Sequence, residues 1–227
     1  RMLAELAAPD KLMGYGLDSP GAAVSGRNLV LAPDGARFTV TADLESHEVH
    51  LQVPGRHNAS NALAAIAAAH ALGIPLADAA AAIGRFEGLK RRLETVGTAG
   101  GVTVIDDFAH NPDKIAATLA TLASQPGRLL VFFQPHGYGP LLKMGQELAA
   151  TFLDGLGPDD LLLLSDPVYQ GGTVDRSRGS DWLAQAVREA GGAAEHIPDR
   201  KNIAERLLAE ARPRDRIAVL GARDDTL

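Results

Sequence analysis

The chain contains no cysteine in its 227 residues. Disulfide frameworks and thiolate metal sites are thereby excluded, and the lack fits a reducing cytoplasm. Aromatic residues are scarce, at 4%, so any core must be built mostly from Ala, Leu, Val and Ile. A surplus of basic residues is missing too. The net charge of -6 is the reverse of the basic stripe that nucleic-acid binding needs. There is no long apolar run: the longest, Asn61 to Ile74, contains His70 and falls short of the roughly 20 residues that span a bilayer. No secretory signal is visible. These absences point to a cytoplasmic chain with neither nucleic acid nor membrane as a partner.

What is present suffices for one large domain or two small ones, with 46% hydrophobic residues. Residues 2–8 read as the tail of a helix, and 11–16 as a short segment ending in Gly14-Tyr15-Gly16. Phe38, Val40, His47, Val49 and Leu51 alternate with polar neighbours. Strands over about 28–32, 36–42 and 47–52 therefore form an antiparallel meander, with a turn at Pro33-Asp34-Gly35. An Ala-rich helix over 57–72 stops at Gly73-Ile74-Pro75, and a second, 76–83, ends at Gly84, which makes a tight αα-hairpin. The basic connector Lys90-Arg91-Arg92 then separates two differently organised halves. Beyond it, strands at 94–98, 102–106, 129–133, 160–164, 193–196 and 216–220 alternate with helices at 113–124, 141–154, 180–190 and 200–211. These strands are short and apolar and mostly lack alternation, as in a parallel sheet covered on both faces. Their order predicts a doubly wound α/β domain. The expected domains are 1–87 and 88–227.

Polar groups gather at the strand ends. The apolar run Val102 to Ile105 ends in Asp106-Asp107, and Phe108-Ala109-His110-Asn111-Pro112 leads into the next helix, with Pro112 in its first turn. Adjacent carboxylates are costly unless they meet a sugar hydroxyl, a cation or water, so this turn is either solvated or a ligand edge. Phe133-Gln134-Pro135-His136-Gly137-Tyr138 repeats the pattern, and His136 is either a phosphate or carboxylate ligand or a plain loop residue. Ser165-Asp166-Pro167 with Tyr169, and Gly221-Ala222-Arg223, close two further strands. Open α/β sheets bind ligands at this carboxyl edge, and such clustering favours one crevice over unrelated turns. Upstream, Asn58 and Asn61 lie three apart on one face of a helix's first turn. Two carboxamides can read the edge of a purine; Asn is equally at home capping a helix start. Lys90-Arg91-Arg92 is a solvated face or a phosphate clamp.

Three of these stretches, in order and at matching spacing, resemble the Mur ligase family. They are Gly55-Arg56-His57-Asn58-Ala59-Ser60-Asn61-Ala62, then Phe86-Glu87-Gly88 with Arg91-Arg92, then Asp106-Asp107-Phe108-Ala109-His110-Asn111-Pro112. The likeness covers about residues 50–227. Members are ATP-dependent amide-bond ligases of peptidoglycan precursor synthesis. The resemblance implies a C-terminal Rossmann-like domain, a mostly parallel sheet with helices on both faces. The partial end of the central ATP-binding domain would precede it. It further implies Asn58 and Asn61 at adenine, Asp107 at ribose, and Arg92 and His110 as the catalytic pair, near the ATP phosphates and near the acceptor. ATP and Mg²⁺ are the implied cofactors. The Phe133-to-His136 and Asp166-to-Tyr169 stretches are most similar to the branch that joins L-alanine to UDP-N-acetylmuramate through an acyl phosphate. UDP-N-acetylmuramate and an amino acid or short peptide are thus the implied partners.

Two departures from the family pattern stand out. The Gly-Lys-Thr or Gly-Lys-Ser phosphate loop is absent from the sequence, as are the family's Mg²⁺ carboxylate and central-domain His, so no metal ligand is assigned. The chain is expected to be a C-terminal fragment without ligase activity alone. Its residues 1–86 are expected to expose apolar surface or to bury it by self-association. The second departure lies at the acceptor side. The alanine-adding branch carries Arg directly after Phe-Gln-Pro-His and again three residues on, where this chain has Gly137 and Pro140. Its Tyr is Phe108 here. The acceptor-side candidates are His136, Tyr138, Lys143 and Arg223. The branch that attaches a recycled tripeptide is the alternative within the family, and a non-catalytic nucleotide-binding or interaction module is the alternative outside enzymes.

Overall fold

The structure, a computed structural model, describes residues 12–169, 171 and 173–221. The helix tail expected at 2–8 and the candidate Arg223 lie outside these residues. The chain divides into two compact units, Arg1–Gly88 and Leu89–Leu227.

In the first unit, β1 (Tyr15–Leu17), β2 (Val24–Ala32), β3 (Gly35–Ala42) and β4 (Glu45–Leu51) form a sheet in that order. β1 runs parallel to β2, and the remaining pairs are antiparallel, as a meander requires. Helices α1 (Arg56–Ala71) and α2 (Leu76–Ile83) complete the unit. Phe38, Val40, Val49 and Leu51 point to one face and share a core with Leu63, Ile66 and Leu76. β1 was not legible as a strand, because three residues with a glycine at their centre and another before them show no alternation. β2 begins at Val24 rather than 28: Val24, Ser25 and Gly26 are buried, while a register shift between Arg27 and Val30 breaks the alternation beyond them. The β3–β4 turn uses Asp43 at φ 53° and Leu44 at φ 103°, positive values that tight hairpins demand and that Gly or Asn usually supplies. Val30, Leu31, Leu44, Leu72 and Ile74 of this unit are individually exposed.

The second unit holds β5 (Glu94–Ala99), β6 (Val102–Asp107), α3 (Pro112–Ala123), β7 (Leu129–Phe133) and α4 (Tyr138–Gly155). Next come β8 (Leu161–Leu164), α5 (Ser180–Glu189), β9 (Ala194–His196), α6 (Arg200–Glu210) and β10 (Arg216–Leu220). The sheet order is β5-β6-β10-β7-β8-β9, parallel except for the β5–β6 edge. Both faces are covered, which explains why the strands read as continuous apolar runs. Leu129, Val131 and Phe133 of β7 enter a core with Ile115, Leu119, Leu148, Phe152 and Leu183. Leu130 and Phe132 enter the opposite core with Ile203 and Leu207. This is the expected α/β sheet with helices on both faces. Arg216, almost fully buried on β10, donates to the carbonyls of Leu122, Gln125 and Gly127 and so covers the end of α3. Desolvation pushes its pKa down from the usual guanidinium range.

Candidate functional site

In the second unit the strand ends lie level. Leu220 pairs with Asp107 on one side and with Phe133 on the other, and Phe133 pairs with Leu164, which pairs with His196. The polar turns after these strands therefore share one edge, as the sequence pattern led us to expect. Close packing at this edge dictates Gly221: it sits at φ 92°, and a Cβ there would fall 2.3 Å from the Gln134 carbonyl oxygen.

The turn after β6 is built together with the connector before β5. Asp107 is 6% exposed and accepts the Leu93 amide at 2.8 Å. Glu94 accepts the Arg91 amide at 2.7 Å, and the Phe108 amide donates to the Arg91 carbonyl at 2.8 Å. Arg91 and Leu93 are both held at positive φ, 59° and 50°. Arg91 Nε lies 3.3 Å from Asp106. Burial raises the Asp106 pKa above the ordinary carboxylate range, and Arg91 only partly opposes it. Asp106 is therefore a structural partner of the connector, and Asp107 has part of its acceptor capacity committed to the fold.

The guanidinium carbons of Arg91 and Arg92 stand 5.0 and 5.6 Å from the Phe108 ring centroid. Phe108 lies 5.0 Å from both His110 and His136. The two imidazoles stack at 4.4 Å with an interplanar angle of 16°. His110 Nδ1 is 2.8 Å from the Phe108 carbonyl. A carbonyl only accepts, so Nδ1 carries the proton and Nε2 of the neutral ring is the acceptor. Asn111 caps α3 by accepting the Lys114 amide at 3.0 Å, with Pro112 at the helix start. Arg92, His110 and His136, chosen from sequence, are thus brought together around Phe108.

The β7 turn reaches three sets of neighbours with alternate residues. His136 enters the stack just described. Gln134, 6% exposed, donates to the Asp166 carbonyl at 3.0 Å and accepts from Arg200. Tyr138 opens α4, earlier than the expected start at 141, and meets Tyr169 edge-on at 6.3 Å. Asp166 in turn holds His196 at 2.6 Å. Lys143 is exposed on α4. His196 and Arg200 escaped the sequence reading, because an isolated His or Arg at a strand or helix end carries no local signal.

In the first unit, α1 starts at Gly55, φ 101°, with no side-chain cap. Ordinary N-capping does not account for Asn58: its Nδ2 donates instead to the Pro54 carbonyl at 2.7 Å. Asn61 is exposed. Arg56 pairs with Asp18 at 2.9 Å.

In the second unit, the guanidiniums of Arg91 and Arg92 beside two imidazoles are suited to anions. Comparison with known proteins gives the chain a lineage. The family described as Mur ligase, glutamate ligase domain, matches residues 91–223, and that described as Mur ligase middle domain matches 1–69. The chain belongs to the Mur ligase family. A UDP-N-acetylmuramate--L-alanine ligase of Acidithiobacillus ferrooxidans is 36% identical over 97% of this chain and 48% of its own length. Among solved structures, the UDP-N-acetylmuramate-alanine ligase of Thermotoga maritima superposes with TM-score 0.72 at 22% identity, over 92% of this chain and 44% of that one. A murein peptide ligase of Psychrobacter arcticus gives TM-score 0.61 at 26% identity, over 92% and 43%. The chain thus spans about half the length of the curated relatives it matches. Among the described residues no group of three or more His, Cys, Asp or Glu is set to hold a metal ion, and no helix is long and apolar enough to cross a membrane.

Proposed function

We propose that this Mur ligase chain forms the acceptor-side half of a cytoplasmic ATP-dependent ligase that joins an amino acid, L-alanine in the first instance, to UDP-N-acetylmuramate. In this reading residues 1–87 are the closing part of the ATP-binding domain and 88–227 the acceptor domain. The observation that carries it is the Arg92–Phe108–His110–His136 cluster at the level ends of β6 and β7. Arg92, held over the ring, turns N–H donors toward phosphate oxygens. Asp107 accepts from ribose hydroxyls, and Asn58 with Asn61 reads the adenine edge. ATP passes its terminal phosphoryl group to the substrate carboxylate. The acceptor amine then attacks the acyl carbon, the carbon–oxygen bond to phosphate breaks, and the amine proton passes to His110 Nε2. Positioning and charge stabilisation supply most of the acceleration in such a step. When bound, Mg²⁺ would neutralise phosphate charge, and no residue of this chain is assigned to it.

Because the phosphate loop is absent from this sequence, the 227-residue chain alone should not ligate. Joined to the N-terminal half of the Acidithiobacillus relative, it should form an amide between UDP-N-acetylmuramate and an acceptor, with one phosphate released per bond. Product mass and phosphate release across a panel of amino acids and peptides test this. No product with any acceptor would refute the reading, and so would ligation by the chain alone. Gly137 and Pro140, which remove cations from the β7 turn, favour a second reading in which the acceptor is a peptide rather than free L-alanine.

A further inference from the structure

We infer that Arg176, laid across the ring of Tyr169, is the residue that recognises the α-carboxylate of the amino acceptor. This rests on the ligase reading above, whose acceptor is an amino acid or a peptide. Such an acceptor brings a carboxylate as well as an amine, and a carboxylate leaving water needs a cation or several N–H donors. The β7–α4 turn offers no cation between His136 and Lys143.

The stretch after β8 lies along that turn. A Cβ on Gly137 would stand 3.5 Å from the Val168 carbonyl, one on Gly139 3.7 Å from Val174, and one on Gly179 3.9 Å from the Tyr138 ring. Val168 also donates its amide to the Pro135 carbonyl at 3.3 Å. Tyr169, which meets Tyr138 edge-on, carries the Arg176 guanidinium 4.6 Å above its ring centroid. Arg178 is stacked in the same way on Trp182, at 4.9 Å. Trp182 is itself wedged against Gly145 of α4.

Stacking decides what these arginines can do. A guanidinium that meets a ring through its face keeps its in-plane N–H fork, the geometry that grips a carboxylate bidentately. The acidic neighbour Asp175 is otherwise engaged. Asp175 accepts the Ser177 amide at 2.8 Å, which holds its carboxyl below the usual range, and the cation it feels is Arg178. Arg176 has no ion pair among the described residues. A cation missing from the β7 turn is thus supplied from the loop packed against it.

The test has two arms. In the first, the ¹⁵N-labelled chain is titrated with L-alanine and dialanine, each against its C-terminal amide. The carboxylates should shift the Arg176 Nε–Hε resonance saturably, the amides should not, and Arg176→Gln should abolish the response. Equal shifts with the amides, or undiminished binding by Arg176→Gln, overturn the proposal. In the second arm, the ligating chimera carrying Arg176→Gln should show a KM for the acceptor raised roughly 10- to 100-fold, with kcat and the KM for ATP little changed. Arg176→Lys should recover part of the loss. An unchanged acceptor KM overturns the assignment. Absence of ligation by the unmutated chimera counts against the ligase reading instead, and the titration then decides Arg176 by itself.

Discussion

Asp107→Ala and Asp107→Asn should fail in different ways, because the carboxylate serves the fold and, in the proposed reading, the ligand as well. One of its oxygens accepts the Leu93 amide at 2.8 Å, and Leu93 is itself buried and held at φ 50°. Removing a charged acceptor from a buried amide costs about 1.5–3 kcal/mol. Leu93 then relaxes from its left-handed conformation, which recovers some of that energy. A net loss of about 2 kcal/mol is expected for Asp107→Ala. Asn keeps an oxygen to accept the amide, so Asp107→Asn should lose no more than about 1 kcal/mol. A carboxylate has about four acceptor sites, so the ribose role uses capacity beyond the Leu93 bond. Asn gives up the charge-assisted part of that contact, and nucleotide binding by the chimera should weaken roughly 10-fold. Stability is read by urea unfolding followed through Trp182, the one tryptophan of the chain. Affinity is read by nucleotide titration of the chimera. If Asp107→Ala unfolds at the parent's urea concentration, the structural half of the argument is wrong. If Asp107→Asn binds nucleotide as the parent does, the ribose assignment is wrong.

Two further outcomes concern stability. Glu210 bridges Arg128 and Arg206, each at 2.8 Å, and these partners push its pKa down to about 2 from an ordinary 4.5. A depressed carboxyl contributes stability that is complete above pH 4.5 and is lost as pH falls toward 2. Glu210→Gln should therefore be less stable than the parent at neutral pH and converge with it near pH 2, as urea midpoints across that range would reveal; parallel profiles would contradict the ion-pair account. Leu44, fully exposed at φ 103° in the β3–β4 turn, packs against nothing. Leu44→Gly should relieve about 1–3 kcal/mol of strain against about 0.5–1 kcal/mol of added chain entropy. Unfolding of the first unit, monitored by circular dichroism, should then shift upward by a few degrees, and a lower midpoint would refute the strain assignment.

Much of the fold could be read along the chain because its signals are local. The β7 run Leu129–Phe133 is apolar at every position, which marks a strand covered on both faces. Pro112 and Asn111 mark the start of α3 where the structure has it. β1 was missed for the opposite reason: three residues with glycine before and within them become a strand only because β2 lies alongside. The early start of α4 at Tyr138 was hidden by Gly139 and Pro140, which look like loop residues but fit a helix's first turn.

Among the site residues, the sequence by itself determined which chemical groups stand at strand ends: the paired carboxylates, His110, His136 and the Arg91-Arg92 pair. Periodicity sets where a strand stops, and the next few residues spell out the turn beyond it. Only the tertiary structure decided how those groups divide their labour. It brings β10 between β6 and β7, so that their turns end level. It stacks His110 on His136, commits Asp107 in part to Leu93, ties Gln134 to Arg200 and lays Arg176 over Tyr169. These contacts depend on strand order and loop packing, which arise from burial summed over the whole sheet and leave no trace in any short window of sequence.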